Sequence, residues 1–170
     1  MNPEQVRGSE HQQYLTFRLG DETYALPILA VKEILEYPPL TNVPLMANCV
    51  RGVLNLRGSV VPVVDLAVRF GRPPGAQTRR TCVVIIEVQT QEEWSDIGIV
   101  VDAVNQVIDI PAAEIEPPPS FGARLRADFI HGMGKVDGGF VVILDATHVL
   151  SVEEIAQLGA ELAADGARAA

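Results

Sequence analysis

The sequence has little of what several classes of protein require. It contains only two cysteines, Cys49 and Cys82, each beside valine, so we expect buried free thiols and no disulfide framework. Its longest apolar runs, such as Val60–Val64 and Val83–Ile86, are far too short to span a bilayer. Residues 1–13 lack the apolar segment of a secretory signal. These absences predict a soluble, cytoplasmic protein.

The chain also lacks an excess of basic residues. Its 13 Lys and Arg are outnumbered by 22 Asp and Glu, which gives a formal net charge of −9 at pH 7. Such a charge repels nucleic acid and anionic membranes, so neither is expected as a partner. With 170 residues, 48% of them hydrophobic, the chain is long enough for one domain or for two small subdomains sharing a core.

Catalytic and metal-binding patterns are absent as well. Gly132–Asp137 begins like a dinucleotide loop, but it lacks the third glycine and leads into a predicted strand. Asp65 and Asp145 could suggest a carboxylate pair, yet each follows a β-rich run and precedes a short helix, which favours capping. The histidines are scattered, and none has a metal-ligand spacing: His11, His131 and His148. We therefore predict no catalytic residue, no metal and no cofactor.

Three side chains do not fit this purely structural interpretation: Arg57, Trp94 and Phe121. Arg57 is predicted at a hairpin tip with no acid nearby in sequence, and the two aromatics are predicted in polar or irregular loops. A solvated arginine and partly buried aromatics are the ordinary expectation. Arginine and aromatic residues also anchor protein interfaces, so a binding role is the alternative.

What the sequence does contain is a series of β-hairpin signals. Gln13–Leu19 alternates with period two and is followed by Gly20-Asp21 and a second run to Leu26. Ile28–Tyr37 fits either a helix or a turn followed by a strand, and we favour the turn and strand. Two β-rich runs flank Gly58-Ser59, with Pro62 expected at an edge or a bulge.

The second half uses the same elements. Predicted strands cover Thr81–Val88, Ile97–Val101 and Val104–Ile110, and a hairpin covers Ile130–Leu144 around Asp137-Gly138-Gly139. Ser151 opens a capping box before an apolar stripe, which predicts a C-terminal helix that frays from residue 163.

The two halves resemble each other. A shift of 80 residues lays Val50–Phe70 over Ile130–Leu150 without a gap, and four of these 21 positions are identical: Gly52/Gly132, Gly58/Gly138, Val61/Val141 and Asp65/Asp145. A shift of 73 lays Ala25–Ile34 over Gly98–Val107 in the same order. We interpret this as two similar β units packed together, with a groove between them as a candidate binding site.

The first of these hairpins resembles a family signature. Val50–Gly58 followed by Val60–Leu66 is similar to the signature of the CheW family of chemotaxis coupling proteins. Further similar segments occur in family order: Phe17–Tyr24, Val31–Ile34, Gly98–Val104 and Ile143–Asp145. The resemblance covers about residues 13–160. It implies an all-β fold of two intertwined SH3-like five-stranded barrels on a shared hydrophobic core, with short helices and a C-terminal helix. The domain would span residues 13–162, between a flexible leader (1–12) and a frayed tail (163–170).

The resemblance also implies a function. Family members are non-enzymatic adaptors that couple the cytoplasmic tips of chemoreceptors to the regulatory domain of a CheA-type histidine kinase, and they reach the membrane only through the receptors. Carried over by position, receptor contact would fall on Val31, Glu33, Arg57 and Val83. Phe121 would contact the kinase or a neighbouring domain in the array.

Some alternatives stay open. Gln89–Asp96 is predicted as a loop longer than the family's usual tight hairpin, so the chain could serve a parallel pathway such as surface sensing or twitching motility. A fragment of the kinase is disfavoured because the chain is too short for a nucleotide-binding domain. A phosphorylatable adaptor of the CheV type would need a receiver domain, and a ligand-binding barrel is not called for by any residue.

Overall fold

A computed structural model describes residues 11–44, 46–90, 93–118 and 129–151 of the chain. These residues form eleven strands, two short α-helices and two 3-10 turns, at Ile28–Ala30 and Ala112–Glu114. The strands are β1 (His11–Leu19), β2 (Glu22–Pro27), β3 (Val31–Glu36), β4 (Val50–Leu56), β5 (Ser59–Asp65), β6 (Cys82–Thr90), β7 (Glu93–Val101), β8 (Ala103–Pro111), β9 (Ile115–Glu116), β10 (Ile130–Val136) and β11 (Gly139–Leu144). The helices are α1 (Leu66–Arg69) and α2 (Ala146–Val149).

The predicted hairpins are confirmed, and so are the turn and the strand predicted for Ile28–Tyr37. Two boundaries differ from the prediction. Strand β1 begins at His11, so the last two residues of the predicted leader are part of the sheet. The turn between β4 and β5 is Arg57-Gly58, one residue earlier than predicted, because both residues take positive φ (51° and 88°) as a two-residue hairpin turn demands. The predicted C-terminal helix and tail lie outside the described residues.

Pro62 lies where β5 is paired on one side only. It faces Val53 of β4, whereas pairing between β5 and β7 begins one residue later, at Val63. A residue without an amide hydrogen is tolerated there because no second ladder requires a donor. Locally this is the sheet edge that the sequence predicted.

The strands form two sheets, so the all-β prediction is confirmed. One sheet has the order β8-β1-β2-β11-β10-β9 and the other the order β3-β6-β7-β5-β4. The prediction of five strands in each unit therefore holds for only one sheet, because β9 adds a short sixth strand to the other. Within the described residues no helix is long and apolar enough to cross a membrane.

Each sheet rolls back on itself. Strand β9 follows β8 after a single 3-10 turn, yet it pairs with β10 at the opposite side of the sheet order. In the five-stranded sheet, Thr41 follows β3 by a few residues and pairs with Val53 of β4, again at the opposite side. The two edges of each sheet are thus brought together through the connecting chain.

The internal repeat is confirmed at the level of single residue pairs. In one sheet Val63 of β5 pairs in parallel with Gly98 of β7, and in the other Ile143 of β11 pairs in parallel with Ala25 of β2. The predicted shift of 80 residues relates Val63 to Ile143, and the predicted shift of 73 relates Ala25 to Gly98. The two parallel pairs are therefore equivalent in the repeat. However, each sheet contains strands from both halves of the chain, so the repeats are interlaced and do not form one unit each.

Three groups of buried residues hold the sheets together. A shared core lies between them and takes Phe17 and Tyr24 from one sheet and Val84 and Ile86 from the other. A first inner cluster lies within the rolled five-stranded sheet: Leu54, Val61, Val63, Val83, Ile85 and Val100. A second lies within the six-stranded sheet: Tyr14, Ala25, Ile110, Val141 and Ile143. Because the shared core uses both sheets, neither half could bury its apolar surface alone.

Candidate partner-binding site

The predicted receptor-contact residues meet where β3 runs beside β6. Strand β3 is an outer strand of the five-stranded sheet, and its exposed and half-buried side chains alternate. Glu33 pairs with Ile85 of β6, which belongs to the first inner cluster. Since paired residues share a face, Glu33 stands at the rim of that cluster.

Arg57 reaches this rim from the β4–β5 turn. Its Nη2 donates a hydrogen bond of 2.8 Å to Oε2 of Glu33, and its side chain is 74% exposed. The ion pair joins the tip of the β4–β5 hairpin to β3. Strands β3 and β4 are the two outer strands of the same sheet, so the pair links its opposite edges. An ion pair this exposed contributes between 0 and about 1 kcal/mol to stability. The arginine is therefore accessible to a carboxylate of a partner, for which its planar donors are suited.

The other two predicted contact residues differ from this pair. Val31 lies in β3, half-buried, and packs against the shared core. Val83 has no exposed surface (0%) and belongs to the first inner cluster, so its predicted direct contact with a receptor is wrong for this structure. Its place opposite Leu35 makes it a support for β3. Phe121 lies outside the described residues.

A buried ionic network that the sequence did not predict supports the β4–β5 hairpin. Nη2 of Arg51 lies 2.7 Å from Oδ2 of Asp65, its Nε donates to the same oxygen at 2.8 Å, and its Nη1 donates to the hydroxyl of Tyr37 at 3.3 Å. Burial lowers the pKa of Arg51, but the hydrogen bonds and charge interactions with Asp65 and Tyr37 together outweigh it, so the pKa is raised above its ordinary value. Asp65 also caps α1 by accepting from the amide of Val68 at 3.4 Å, as predicted.

Asp145 is the repeat equivalent of Asp65, and it is a cap in a different environment. It accepts from the amide of His148 at 3.2 Å, and its Oδ2 lies 3.0 Å from Nδ1 of the same histidine. The position equivalent to Arg51 is the exposed His131. The two aspartates therefore cap equivalent helices, but only Asp65 carries an arginine ion pair in the described residues.

A second unpredicted ion cluster lies on β3, β6 and β7. Nζ of Lys32 lies 3.1 Å from Oδ1 of Asp96 and 3.3 Å from Oε2 of Glu87. Hydrogen bonds to Asp96 and then to Glu87 raise the pKa of the lysine. Glu87 and Asp96 face each other in the β6–β7 pairing, so the sequence signal was present as charges on two strands. Only the strand register shows that these charges meet.

Trp94 is a strand residue, which corrects the prediction of a polar loop. The β6–β7 pairing continues to Gln89↔Trp94 and Thr90↔Glu93, so most of the predicted loop Gln89–Asp96 is a regular hairpin. The error came from the polar composition of this segment, which hides the strand because both faces are in solvent. Trp94 is 64% exposed.

A metal-dependent active site would need several ligating side chains close together in the described residues. No group of three or more His, Cys, Asp and Glu side chains converges there as a metal site would require. The described side chains at the β3 rim present an arginine, carboxylates and a lysine, and Trp94 lies beyond them near the end of the β6–β7 hairpin. These groups can bind a protein partner through charge and apolar contact.

Comparison with known proteins gives a consistent result. A family model described as "CheW-like domain" matches residues 13–154. The chain is 34% identical over 145 residues to the chemotaxis protein CheW of Klebsiella aerogenes, covering 85% of each chain. It is 33% identical to the chemotaxis protein CheW of Bacillus subtilis, covering 84% of this chain and 88% of the relative.

Two further similarities extend the comparison. The chain is 32% identical to Protein FrzA of Myxococcus xanthus, covering 75% of this chain and 76% of the relative. Among solved structures, it superimposes on the scaffolding protein TtCheW from Thermoanaerobacter tengcongensis with a TM-score of 0.74 and 30% identity, covering 82% of this chain and 88% of that one.

Proposed function

The chain belongs to the CheW-like domain family, and from that premise we propose that it is a non-enzymatic adaptor coupling chemoreceptors to a CheA-type histidine kinase. The observation that carries the proposal is the match over nearly the whole described chain to proteins named as chemotaxis and scaffolding proteins. The partners are the cytoplasmic receptor tips and the regulatory domain of the kinase. The adaptor is recruited to membranes through the receptors.

The fold suits this role. We propose that the two rolled sheets correspond to the two SH3-like barrels implied by the family resemblance, each completed by the strand or bridge that returns to its far edge. The shared core fixes the two sheets as one body. A rigid body that presents separate surfaces can hold two partners at a constant separation, as coupling requires.

The receptor surface that we propose consists of Glu33, Arg57 and the exposed part of Val31. Arg57 is its central residue because it is exposed, held at a defined turn and oriented by one carboxylate. Its remaining donors can bind a second carboxylate. Val83 is buried beneath this surface and supports β3. Phe121 remains our proposed contact to the kinase or the array.

The pathway has a second candidate. Relatives at this level of identity include Protein FrzA as well as proteins named CheW, so family membership alone does not select one pathway. The alternative proposal is therefore an adaptor of a parallel chemosensory pathway. Purification of the chain from its native cell, with identification of the bound kinase and receptor, distinguishes the two.

Charge reversal tests the site. Arg57→Glu should weaken co-sedimentation with receptor-bearing membranes about tenfold or more, since loss of a hot-spot arginine costs about 2 kcal/mol or more and a tenfold loss corresponds to about 1.4 kcal/mol. Arg79→Glu is the matched control, because Arg79 is exposed and gives the same change in net charge. Binding of the kinase regulatory domain, measured separately, should be the same for both variants.

A charge swap separates binding from structure. The double variant Arg57→Glu with Glu33→Arg restores an ion pair between the β4–β5 turn and β3 but puts the cation on the other element. If Arg57 binds the receptor, the swap leaves binding weak. Full recovery in the swap, or unchanged co-sedimentation of Arg57→Glu alone, contradicts the assignment of Arg57.

A further inference from the structure

The internal repeat shows that the β6–β7 hairpin carries an extension. Ala25 of β2 faces Thr16, and its repeat equivalent Gly98 faces Ile85. Counted from these equivalent pairs toward the turn, the β1–β2 hairpin has three more residue pairs, the last of which is Leu19↔Glu22. Counted in the same way, the β6–β7 hairpin has five more residue pairs, the last of which is Thr90↔Glu93. Its last two pairs therefore have no counterpart in the other half, and we name their four residues the arm: Gln89, Thr90, Glu93 and Trp94.

The arm places the only tryptophan of the chain on the face that bears the candidate site. Trp94, Asp96 and Gly98 alternate along β7, so they share one face. Gly98 faces Ile85, and Ile85 faces Glu33. One surface therefore runs from the Glu33–Arg57 ion pair, past the Lys32 cluster, to Trp94.

Stabilising the hairpin does not account for Trp94. Its cross-strand partner is Gln89, an exposed polar residue, and no aromatic ring of the described residues stacks on it. An indole that is 64% exposed leaves a large apolar area in water. Tryptophan is strongly enriched among residues that anchor interfaces.

The spacing and the charges along this surface define the partner. Trp94 lies four residues along β7 from the row that contains Glu33, and β7 is two strands away from β3, so the two residues are roughly 16 Å apart. Side chains eleven positions apart lie on one face of an α-helix and are about 16 Å apart along it. Between the two points, Lys32 is the one cation among the described residues that pairs with Glu87 and Asp96, so these three side chains keep a net negative charge.

We propose that Trp94 is a second contact point for the partner that binds Arg57, and that this partner presents an α-helix. The helix carries an acidic residue at Arg57 and, about three turns away, a lysine or arginine at Trp94. The indole face and the neighbouring carboxylates both favour a cation there. This inference rests on the proposed function, because it identifies the helix with the receptor tip.

Because the chain contains a single tryptophan, its intrinsic fluorescence reports on Trp94 without a label. The experiment titrates the chain with a soluble, tryptophan-free fragment of a receptor tip from the same cell and records both affinity and tryptophan emission. We expect a blue shift that saturates with binding, and a five- to tenfold loss of affinity in Trp94→Ala. Trp94→Phe should recover most of this loss, because it keeps an aromatic face.

Control variants separate the outcomes. Phe140→Ala removes another exposed aromatic, 55% exposed and on the other sheet, and should leave receptor affinity unchanged. Trp94→Ala should unfold at the same urea concentration as the parent. Binding that depends on Arg57 but shows neither an emission shift nor a loss in Trp94→Ala overturns the role of Trp94 and leaves the proposed function standing.

Two other results are decisive. A shift produced by the kinase regulatory domain and not by the receptor fragment overturns the helical receptor as the occupant. Absence of receptor binding by the unmodified chain overturns both the proposed function and this inference.

Discussion

The carboxylate of Asp65 has two roles, and replacing it with asparagine separates them. Asparagine is as good a helix cap as aspartate, so the bond to the amide of Val68 can persist in Asp65→Asn. What the variant loses is the charge opposite Arg51. The repeat supplies a matched control in Asp145→Asn, which makes the same change at the equivalent cap.

The magnitude follows from burial. The side chain of Asp65 is 4% exposed and that of Arg51 is 27% exposed. Removing one partner of a fully buried ion pair costs about 3–5 kcal/mol, and the part of Arg51 that reaches water reduces this to about 2–3 kcal/mol. Asp145 and His148 are both more exposed, so Asp145→Asn should cost about 0.5 kcal/mol or less.

Urea unfolding followed by far-ultraviolet circular dichroism measures the difference. A domain of this kind has a free energy of unfolding of about 5–15 kcal/mol, so a loss of about 2–3 kcal/mol shifts the midpoint clearly. A double-mutant cycle with Arg51→Met should give a coupling of about 1–3 kcal/mol between the two side chains. Equal costs for Asp65→Asn and Asp145→Asn would refute the reasoning, because Asp65 would then be a cap alone.

Two further predictions concern stability. Burial, and then its hydrogen bond to Glu22, raises the pKa of Tyr24 to about 12. The unfolded chain releases this proton near pH 10, so the free energy of unfolding should fall as pH rises from about 10 to 12, and should fall less in Tyr24→Phe. Gly58→Ala should lower the free energy of unfolding by about 1–2 kcal/mol, because Gly58 has a positive φ. An added Cβ would meet no other atom there, so no clash adds to this cost. Gly52→Ala should cost more, because its Cβ would also lie 2.5 Å from the carbonyl oxygen of Thr41. Equal urea midpoints for the two glycine variants would contradict that steric argument.

How far the sequence predicts this protein differs from element to element. The β4–β5 and β10–β11 hairpins were readable because alternating apolar residues and turn glycines fix their strands locally. Val83 was assigned by position from the family resemblance, and the sequence could not correct this, because an apolar strand that is buried on both faces gives no sign of which side chains reach the surface. The arm was taken for a loop because a hairpin with solvent on both faces has no apolar alternation.

The sequence by itself determined the β class, the duplication and the family signature, since each depends on local alternation, turn residues or collinear matches. The tertiary structure alone decided that the repeats interlace, that Glu33 binds Arg57, and that Arg51 pairs with Asp65. These facts depend on strand order and register between residues far apart in the chain. No local pattern encodes them, because the free energy that selects them comes from burying the shared core and the two inner clusters together.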